Sequence, residues 1–254
     1  MEIDKRMKKY EYVTRNFLTI RTPVIIRIDG KAFHTFTKGM KKPFDHIFME
    51  SIQDTMKYLC ENVQGCVLGY CQSDEISLLL IDYDTLETSA WFDNNISKII
   101  SITSSLASVY FNQQFYINLV DYRVKNYKSK NRDVEYENRL LANISSLPIF
   151  DSRAFNLSKE EVNNYFVWRQ QDAIKNAIQM IGRAYFTHKE LENKNGQDIV
   201  DMLDNIKVNY HSYTTSEKRG TCCIKTDKGW ELDTEIPIFK DNKDYIEKLV
   251  YIGE

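Results

Sequence analysis

The spacing of apolar residues in the first third of the chain predicts a strand, a helix and a hairpin. An apolar run follows Pro23 and stops at Asp29-Gly30, and it is rich in β-branched residues, which favour a buried strand: Val24, Ile25, Ile26 and Ile28. Over residues 46–63, apolar side chains recur at helical spacing and predict an amphipathic helix covering one face of a sheet: Ile52, Met56, Leu59 and Val63. Two further apolar runs flank Ser73-Asp74, which is typical of a hairpin.

The remaining elements predict an α+β fold. A helix is expected within residues 87–112, a strand within 147–156 and a long helix over 159–186, and a hairpin with a polar tail follows Thr214. The order strand, helix, strand, strand, helix, strand is that of a ferredoxin-like split βαβ unit, in which helices cover one face of an antiparallel sheet. The polar stretch 121–143 is either a mobile loop or an insertion that orders on binding.

Composition narrows the class of protein without choosing a function. With 254 residues the chain can bury a real core, and 34 basic against 36 acidic side chains leave it near neutral, so polyanion binding would require a local basic face. Five cysteines, with an adjacent Cys222-Cys223 pair but no CxxC, indicate reduced thiols rather than disulfides or a zinc ribbon. No run approaches the roughly 18 apolar residues of a membrane helix, so we expect a soluble, cytoplasmic protein with no membrane partner.

Carboxylates end two strands that should be neighbours in this sheet. Asp29 follows the first strand and Asp74 lies in the hairpin, so both would meet at one rim. Each motif alone is at least as well explained by an ordinary turn, but their joint position favours a site. Mg²⁺ neutralises charge in nucleotidyl transfer and takes one or two protein carboxylates together with substrate phosphates and waters. Nucleotidyl chemistry at this rim is therefore the leading hypothesis.

Residues beside the two aspartates would complete the site. Gly30 has no Cβ, so its backbone can approach a phosphate or a metal closely. The amides of residues 31–34 would wrap a triphosphate, with His34 near the base or the phosphates. Because side chains alternate along a strand, Glu75 should point away from Asp74, and it either pairs with a base or braces the site.

Five motifs, in this order, resemble the tRNA-His guanylyltransferase (Thg1) family and its Thg1-like proteins. They are Arg27-Ile28-Asp29-Gly30-Lys31-Ala32-Phe33-His34, Gln72-Ser73-Asp74-Glu75, Phe150-Asp151-Ser152-Arg153, Trp168-Arg169-Gln170-Gln171-Asp172 and Lys218-Arg219-Gly220-Thr221. The resemblance implies a polymerase-type palm domain, here residues 1–156, with a C-terminal helical and hairpin extension, residues 157–254, packed on the same core. It also implies two Mg²⁺ ions held by Asp29, the backbone of Gly30, and Asp74.

The same resemblance implies a reaction and its partners. A 5′-monophosphate RNA end is activated by a nucleoside triphosphate, and ATP gives a 5′-adenylylated end. The 3′-hydroxyl of an incoming NTP, such as GTP, then attacks the activated phosphate, and pyrophosphate is removed last. Nucleotides are thus added to the 5′ end of a tRNA acceptor stem by an enzyme that is expected to be a homotetramer built as a dimer of dimers.

The motifs imply roles for individual residues. The candidate catalytic residues are Asp29, Asp74 and Glu75. Contacts to triphosphate or base would come from Arg27, Gly30, Lys31, Ala32, Phe33, His34, Lys41 or Lys42, Ser73 and Lys98. Contacts to RNA would come from Arg153, Arg169, Lys175, Asn176 and Arg219. A solvated lysine is the alternative for Lys98 and an ion pair with Asp172 the alternative for Arg169, and Trp168 is predicted to lie in the core.

One segment departs from the family. Eukaryotic guanylyltransferases carry a His-Ile-Asn-Asn-type segment after the Trp-Arg-Gln motif, whereas this chain has Ala173-Ile174-Lys175-Asn176-Ala177. The difference favours a Thg1-like protein that repairs 5′-truncated tRNAs by templated 3′-to-5′ addition, in which base pairing selects the NTP. The alternatives are a non-templated guanylyltransferase that adds one G to tRNA-His, a catalytically silent tRNA-binding module and a palm-type nucleotide cyclase.

Overall fold

The computed structural model describes residues 2–252, in which helices and strands follow one another in a mixed order. The strands are β1 (Val24–Gly30), β2 (Cys66–Gln72), β3 (Glu75–Leu80), β4 (Phe150–Asn156), β5 (Thr221–Thr226) and β6 (Gly229–Asp233). The helices are α1 (Ile3–Tyr12), α2 (Phe33–Phe36), α3 (His46–Asn62), α4 (Ile96–Asn126), α5 (Val134–Ile144), α6 (Lys159–Tyr185), α7 (His188–Leu191), α8 (Gly196–Asn205), α9 (Thr215–Arg219) and α10 (Asp244–Val250).

The six strands form one antiparallel sheet in the order β4-β1-β3-β2-β5-β6. The strands β4-β1-β3-β2, with α3 and α4 as their connections, are the predicted ferredoxin-like split βαβ unit, so this prediction is confirmed. The β5–β6 hairpin pairs with β2 and continues the sheet beyond that unit. The domain boundary between residues 156 and 157 stays a prediction, and the sheet itself runs across it.

Side chains alternate between the two faces of the sheet, and each face has its own core. Ile26, Ile28 and Leu78 pack with apolar residues of α3 and α4 on one face. Ile25 and Leu79 point the other way and pack with residues of α6 and α10. Helices α3 and α4 thus cover one face of the sheet, as predicted. Helices α6 and α10 of the C-terminal extension cover the opposite face.

The long helix α4 differs from the range 87–112 within which its spacing predicts it. It begins at Ile96, directly after Asn95, whose side chain accepts a hydrogen bond from the Lys98 amide at 3.1 Å and caps the helix. It ends only at Asn126. The turn before it has positive φ angles at three consecutive residues, a conformation that an L-residue helix does not contain: Phe92, Asp93 and Asn94.

The polar stretch 121–143 is helical over most of its length rather than a mobile loop. Its first part continues α4 and its last part forms α5. The buried carboxylate of Glu137 accepts hydrogen bonds from Arg123 at 3.2 Å and from Arg132 at 2.9 and 2.7 Å. The hydrogen bonds from Arg132, more than any other contact, lower the pKa of Glu137. These ion pairs fasten α5 to the end of α4.

Two observations concern the predictions of reduced cysteines and of no membrane-spanning helix. The five cysteines are free thiols, and all but Cys66 are buried. Within residues 2–252 no helix combines the length and the apolar character needed to cross a bilayer.

Candidate active site

The ends of β1 and of the β2–β3 hairpin meet at one rim of the sheet. Asp29 is the direct partner of Glu75 in the β1–β3 ladder, and the Gly30 amide donates a hydrogen bond of 3.0 Å to the carbonyl of Asp74. Ser73, with a φ of 54°, and Asp74 form the two-residue turn between β2 and β3, and this turn places Asp74 at the rim. The two aspartates therefore lie at adjacent strand ends on the same rim.

The environment of Asp74 disfavours its negative charge. Burial raises the pKa of Asp74, hydrogen bonds from its own amide and from Ser73 oppose that shift, and the neighbouring Asp29 charge raises it again. Within residues 2–252 neither aspartate takes part in a salt bridge. Two neighbouring carboxylates without a cationic side-chain partner are suited to a divalent cation, whose charge compensates both.

Glu75 is clamped by arginines from two elements. Its carboxylate forms a 2.6 Å ion pair with Arg27 on β1 and accepts hydrogen bonds of 2.6 and 2.8 Å from Arg169 on α6. Burial raises the pKa of Glu75, and the charges of Arg169 and Arg27 oppose this shift. Arg169 donates a further 3.1 Å hydrogen bond to Asp172, the pair that their helical spacing suggests. Glu75 thus ties the rim of the sheet to α6.

A cleft of about 710 Å³ opens beside Asp74 and gathers most of the residues predicted to bind a nucleotide. Its lining includes Gly30, Ala32, Phe33, His34, Lys41, Lys42 and Ser73. Two cationic residues that no sequence motif singled out, Lys38 and Arg183, also line it. Lys38 belongs to the same lysine-rich stretch as Lys41 and Lys42, so composition alone offers a signal for it. Arg183 lies near the end of α6, and no sequence signal indicates that the fold places it at the cleft.

Aromatic packing forms the floor of the cleft and explains Gly30. Phe33 is only 2% exposed, and its ring centroid lies 4.8 to 6.1 Å from those of four other rings: Phe36, Phe48, Phe111 and Phe150. A Cβ on Gly30 would lie 2.4 Å from the Phe33 ring, so this ring fills the space that a side chain would need. Packing against Phe33 thus requires glycine here, whereas the sequence predicts that glycine permits the close approach of a ligand.

A buried carboxylate fixes the lysine-rich loop that borders the cleft. Asp45 accepts hydrogen bonds from the Lys41 amide at 3.0 Å and from the Tyr136 hydroxyl at 2.7 Å. The Lys41 ammonium lies 4.4 Å from the Tyr136 ring centroid and 4.9 Å from that of Tyr122, and it donates to the Tyr122 hydroxyl at 3.1 Å. Lys41 is therefore engaged by α4 and α5, while Lys42 is exposed at the same cleft.

Three of the predicted nucleotide-binding residues lie outside this cleft. Arg27 is held in its ion pair with the β3 carboxylate, and Lys31 is exposed just beyond β1. Lys98 lies toward the opposite end of β1 from Gly30, because the start of α4 is hydrogen-bonded to residues 16–18, which lead into β1.

The predicted RNA-contacting residues differ in their exposure. Arg153 on β4 and Lys175 and Asn176 on α6 are exposed. Arg169 is buried within its ion pairs. The guanidinium of Arg219 donates a 3.1 Å hydrogen bond to a backbone carbonyl at the start of the C-terminal tail.

The prediction that Trp168 belongs to the core is wrong. Its side chain is 52% exposed, because the inward positions of α6 at this level are taken by Tyr165, Phe166 and Arg169. Arg169 occupies one of these positions because its partner, Glu75, lies in the sheet beneath the helix.

The donor set at the rim fits magnesium. Within residues 2–252 no group of three or more His, Cys, Asp or Glu side chains is arranged to hold a metal ion. Mg²⁺ requires less than that, because one or two carboxylates suffice when substrate phosphates and waters complete the octahedron. Asp29 and Asp74 are therefore a sufficient protein contribution. A split βαβ sheet with this rim and a cation-lined cleft defines a palm-type nucleotidyltransferase.

Comparison with known proteins gives the family. The family model for tRNAHis guanylyltransferase, Thg1, matches residues 4–158, and the chain belongs to this family. A protein of Acanthamoeba polyphaga mimivirus, described as uncharacterised, is 28% identical over 246 residues, which cover 89% of this chain and 79% of that protein. The tRNA(His) guanylyltransferase of Debaryomyces hansenii is 25% identical over 235 residues, 85% of this chain and 80% of that enzyme.

Solved structures agree with this assignment. A bacterial tRNA(His) guanylyltransferase (Thg1)-like protein in complex with ATP superposes with a TM-score of 0.83 at 43% identity, covering 98% of this chain and 100% of that one. A second structure with the same description, in complex with GTP, gives 0.76 at 38% identity with the same coverage. The tRNA(His) guanylyltransferase of Saccharomyces cerevisiae, at 0.65 and 20% identity over 92% of this chain and 97% of that one, supports the fold alone.

Proposed function

We propose that this protein adds nucleotides in the 3′-to-5′ direction to the 5′ end of tRNA, copying the opposite strand of the acceptor stem. The observation that carries the proposal is the rim, where Asp29 and Asp74 come together beside a cleft lined by Lys38, Lys42 and Arg183. The two bacterial Thg1-like structures, in complex with ATP at 43% identity and with GTP at 38% identity, support an NTP site in this cleft.

Two transfer steps would use this site. In the first, an oxygen of the RNA 5′-monophosphate attacks the α-phosphorus of ATP, and pyrophosphate leaves. In the second, the 3′-hydroxyl of the incoming NTP attacks the 5′ phosphorus of the adenylylated end, a new P–O bond forms, and AMP leaves. Hydrolytic release of pyrophosphate then restores a 5′-monophosphate. An RNA that already carries a 5′-triphosphate enters at the second step, with pyrophosphate instead of AMP as the leaving group.

The residues of the rim would bind the metal ions, and those of the cleft would bind the triphosphate. Asp29, Asp74 and the backbone of Gly30 would hold two magnesium ions, which when bound neutralise charge on the phosphate oxygens. Lys38 and Lys42 would bind the triphosphate as point charges, Arg183 would bind it through its planar guanidinium group, and together they would orient it. Glu75 contributes indirectly, because it fixes Arg27 and Arg169 next to the rim.

Templating by the acceptor stem is supported by what the chain lacks. The segment Ala173-Ile174-Lys175-Asn176-Ala177 replaces the His-Ile-Asn-Asn-type segment of eukaryotic guanylyltransferases. When the incoming NTP pairs with the opposite strand, the enzyme needs no side chain that reads the base. The chain can then accept any of the four NTPs at one and the same cleft.

A panel of 5′-truncated tRNAs, each supplied with single NTPs, tests the proposal. We expect label to enter RNA only when the NTP complements the facing template base. Asp74→Ala should abolish addition and leave RNA binding largely intact, whereas Asp121→Ala, an exposed aspartate on α4, should match wild type. Full activity in purified Asp74→Ala, or label in a cyclic nucleotide instead of RNA, would refute the assignment.

A second candidate function is addition of a single non-templated G to tRNA-His. The family model and the Debaryomyces hansenii relative, both described as tRNAHis guanylyltransferases, favour it. Addition of G regardless of the facing base, with no addition of other NTPs, would establish this function in place of templated repair. The homotetramer implied by the family resemblance also stays a prediction, which light scattering of the purified protein tests.

A further inference from the structure

Trp168 is exposed yet firmly held. Its ring is 52% exposed and packs edge-to-face on the Tyr165 ring, with centroids 5.9 Å apart. The guanidinium carbons of Arg169 and Arg27 lie 4.5 and 6.0 Å from the indole centroid. Both guanidinium groups are themselves fixed by Glu75. The orientation of the indole is therefore set before any ligand arrives, so the Trp168 side chain would lose little conformational entropy when a ligand stacks on it.

The indole lies on one side of the rim and the nucleotide cleft on the other. Arg27 and Asp29 are two residues apart on β1, so their side chains share the sheet face that α6 covers. The aromatic floor of the cleft, built around Phe33, belongs to the opposite face. The end of α6 also lines the cleft, through Met180 and Arg183, so a ligand on Trp168 and an NTP in the cleft would meet at the same rim, one from the α6 face and the other from the side of Phe33.

Cations flank Trp168 along the edge of the sheet. Arg153 is the cross-strand partner of Arg27 on the edge strand β4, and its side chain is 54% exposed and forms a 3.3 Å surface ion pair with Asp151. Lys175 lies seven residues after Trp168 and therefore on the same side of α6. The same side of the helix leads on to Arg183, about 22 Å further along, which lines the nucleotide cleft. An exposed ring beside spaced cations matches a nucleobase followed by its phosphates.

We propose that Trp168 is the stacking platform for the terminal base at the 5′ end of the RNA substrate. The proposal rests on the proposed function, since it assigns a place to the RNA end that this function requires. The platform holds the end base by its π face, which every base possesses, so it positions the 5′ phosphate at the rim without selecting a sequence. Arg153 and Lys175 bind the phosphates that follow.

Fluorescence of Trp168 tests the platform directly. The double substitution Trp91→Phe and Trp230→Phe removes the other two tryptophans of the chain. Titration with a 5′-monophosphorylated acceptor-stem hairpin should quench the remaining emission, and ATP alone should leave it unchanged. Quenching by ATP alone would assign the ring to the nucleotide and overturn the proposal. Unchanged emission with RNA that is bound by anisotropy would overturn it as well.

Substitutions separate stacking from packing. Trp168→Ala should weaken RNA binding roughly 5- to 150-fold, the range for losing one base–aromatic stack, with the KM for NTP unchanged. Trp168→Phe should stay within a few-fold of wild type, and Trp168→Leu, which keeps the bulk without a π face, should be as weak as alanine. Tyr116→Ala is the matched control, because Tyr116 on α4 is also 52% exposed. Rescue by leucine would show a packing role and refute the platform.

The outcomes for the platform and for the proposed function are distinguishable. Templated addition by wild type together with wild-type RNA affinity in Trp168→Ala would refute the platform alone. RNA-dependent quenching in a protein that transfers no nucleotide to any tRNA end would refute the proposed function and leave the platform standing.

Discussion

The hydroxyl of Tyr136 donates a 2.7 Å hydrogen bond to the buried carboxylate of Asp45. Tyr136 lies on α5, whereas Asp45 caps α3 and also accepts a hydrogen bond from the Lys41 amide. Burial and the hydrogen bond to Asp45 raise the pKa of Tyr136, so its phenol remains a donor at neutral pH and above the ordinary tyrosine pKa of about 10 as well. The helix α5, which is remote in sequence from the cleft, thus holds the loop that borders it.

Tyr136→Phe should impair nucleotide binding more than turnover. Loss of one hydrogen bond to a charged group costs about 1.5 to 3 kcal/mol of stability, of which only a part is felt as loosening of the lysine-rich loop. We expect the KM for NTP to rise about 3- to 10-fold with kcat within about two-fold of wild type. Steady-state kinetics at saturating RNA measure both constants, and Tyr116→Phe, on an exposed part of α4, is the control. A lowered kcat at unchanged KM would contradict this role.

Asp74→Asn should separate activity from stability. Asparagine keeps the size of the side chain but removes a charge that burial and Asp29 oppose, so the melting temperature in EDTA should not fall. Nucleotide transfer should drop at least about 100-fold, since an amide oxygen is a poorer magnesium ligand than a carboxylate. Differential scanning fluorimetry and transfer of label to tRNA measure the two effects. A variant that melts several degrees below wild type would indicate a structural role for the carboxylate instead.

Glu137→Gln should destabilise the protein at neutral pH but not in acid. Because its arginine partners lower the pKa of Glu137, the stabilisation is complete above the ordinary glutamate pKa of about 4.3 and is lost as pH falls through the lowered value. We expect a loss of about 2 kcal/mol in the free energy of unfolding at pH 7 that shrinks toward zero in acid. Urea titrations from pH 7 downward measure this dependence.

The neighbouring Glu135 provides the control for that experiment. Its side chain is 83% exposed and pairs with Arg139 one helical turn away. Glu135→Gln should change stability by less than about 0.5 kcal/mol at any pH. Equal losses in the two variants would mean that burial of Glu137 contributes nothing beyond a surface pair.

Gly30→Ala should strain the floor of the cleft. The added methyl group would lie 2.4 Å from the Phe33 ring, so the ring must move within a packed aromatic cluster. We expect a loss of about 1 to 3 kcal/mol in the free energy of unfolding, typical of overpacking. Phe33→Leu makes room, so the double variant should be more stable than the sum of the two single losses. Urea denaturation of all four proteins gives this coupling, and simple additivity would refute the proposed clash.

Much of the fold could be predicted because its signals are local. The β-branched run before Asp29, the helical spacing over residues 46–63 and the hairpin around Ser73-Asp74 each lie within one element. Their order then implies the split βαβ topology, which brings the ends of β1 and of the hairpin to one rim. The proximity of Asp29 and Asp74 could therefore be predicted once the order of the strands was known.

The remaining features depend on contacts between distant parts of the chain. Trp168 is exposed because Arg169 must point inward to Glu75, which lies 94 positions away in sequence. Lys98 is remote from the cleft because residues 16–18 determine where α4 starts. Arg183 enters the cleft because α6 extends beyond the sheet. No spacing rule within one element carries this information.

The pairing of β5 with β2 has a consequence for any attempt to isolate the N-terminal half. A chain cut after β4 would leave β2 as a bare edge and would strip α6 and α10 from one apolar face, uncovering Ile25, Leu68 and Leu79. Such a fragment would expose unpaired backbone groups next to apolar side chains. This combination allows the edge strands of different molecules to pair and aggregate. The C-terminal hairpin thus protects the β2 edge from such pairing. We expect a fragment of this chain to stay monodisperse only if it includes the hairpin.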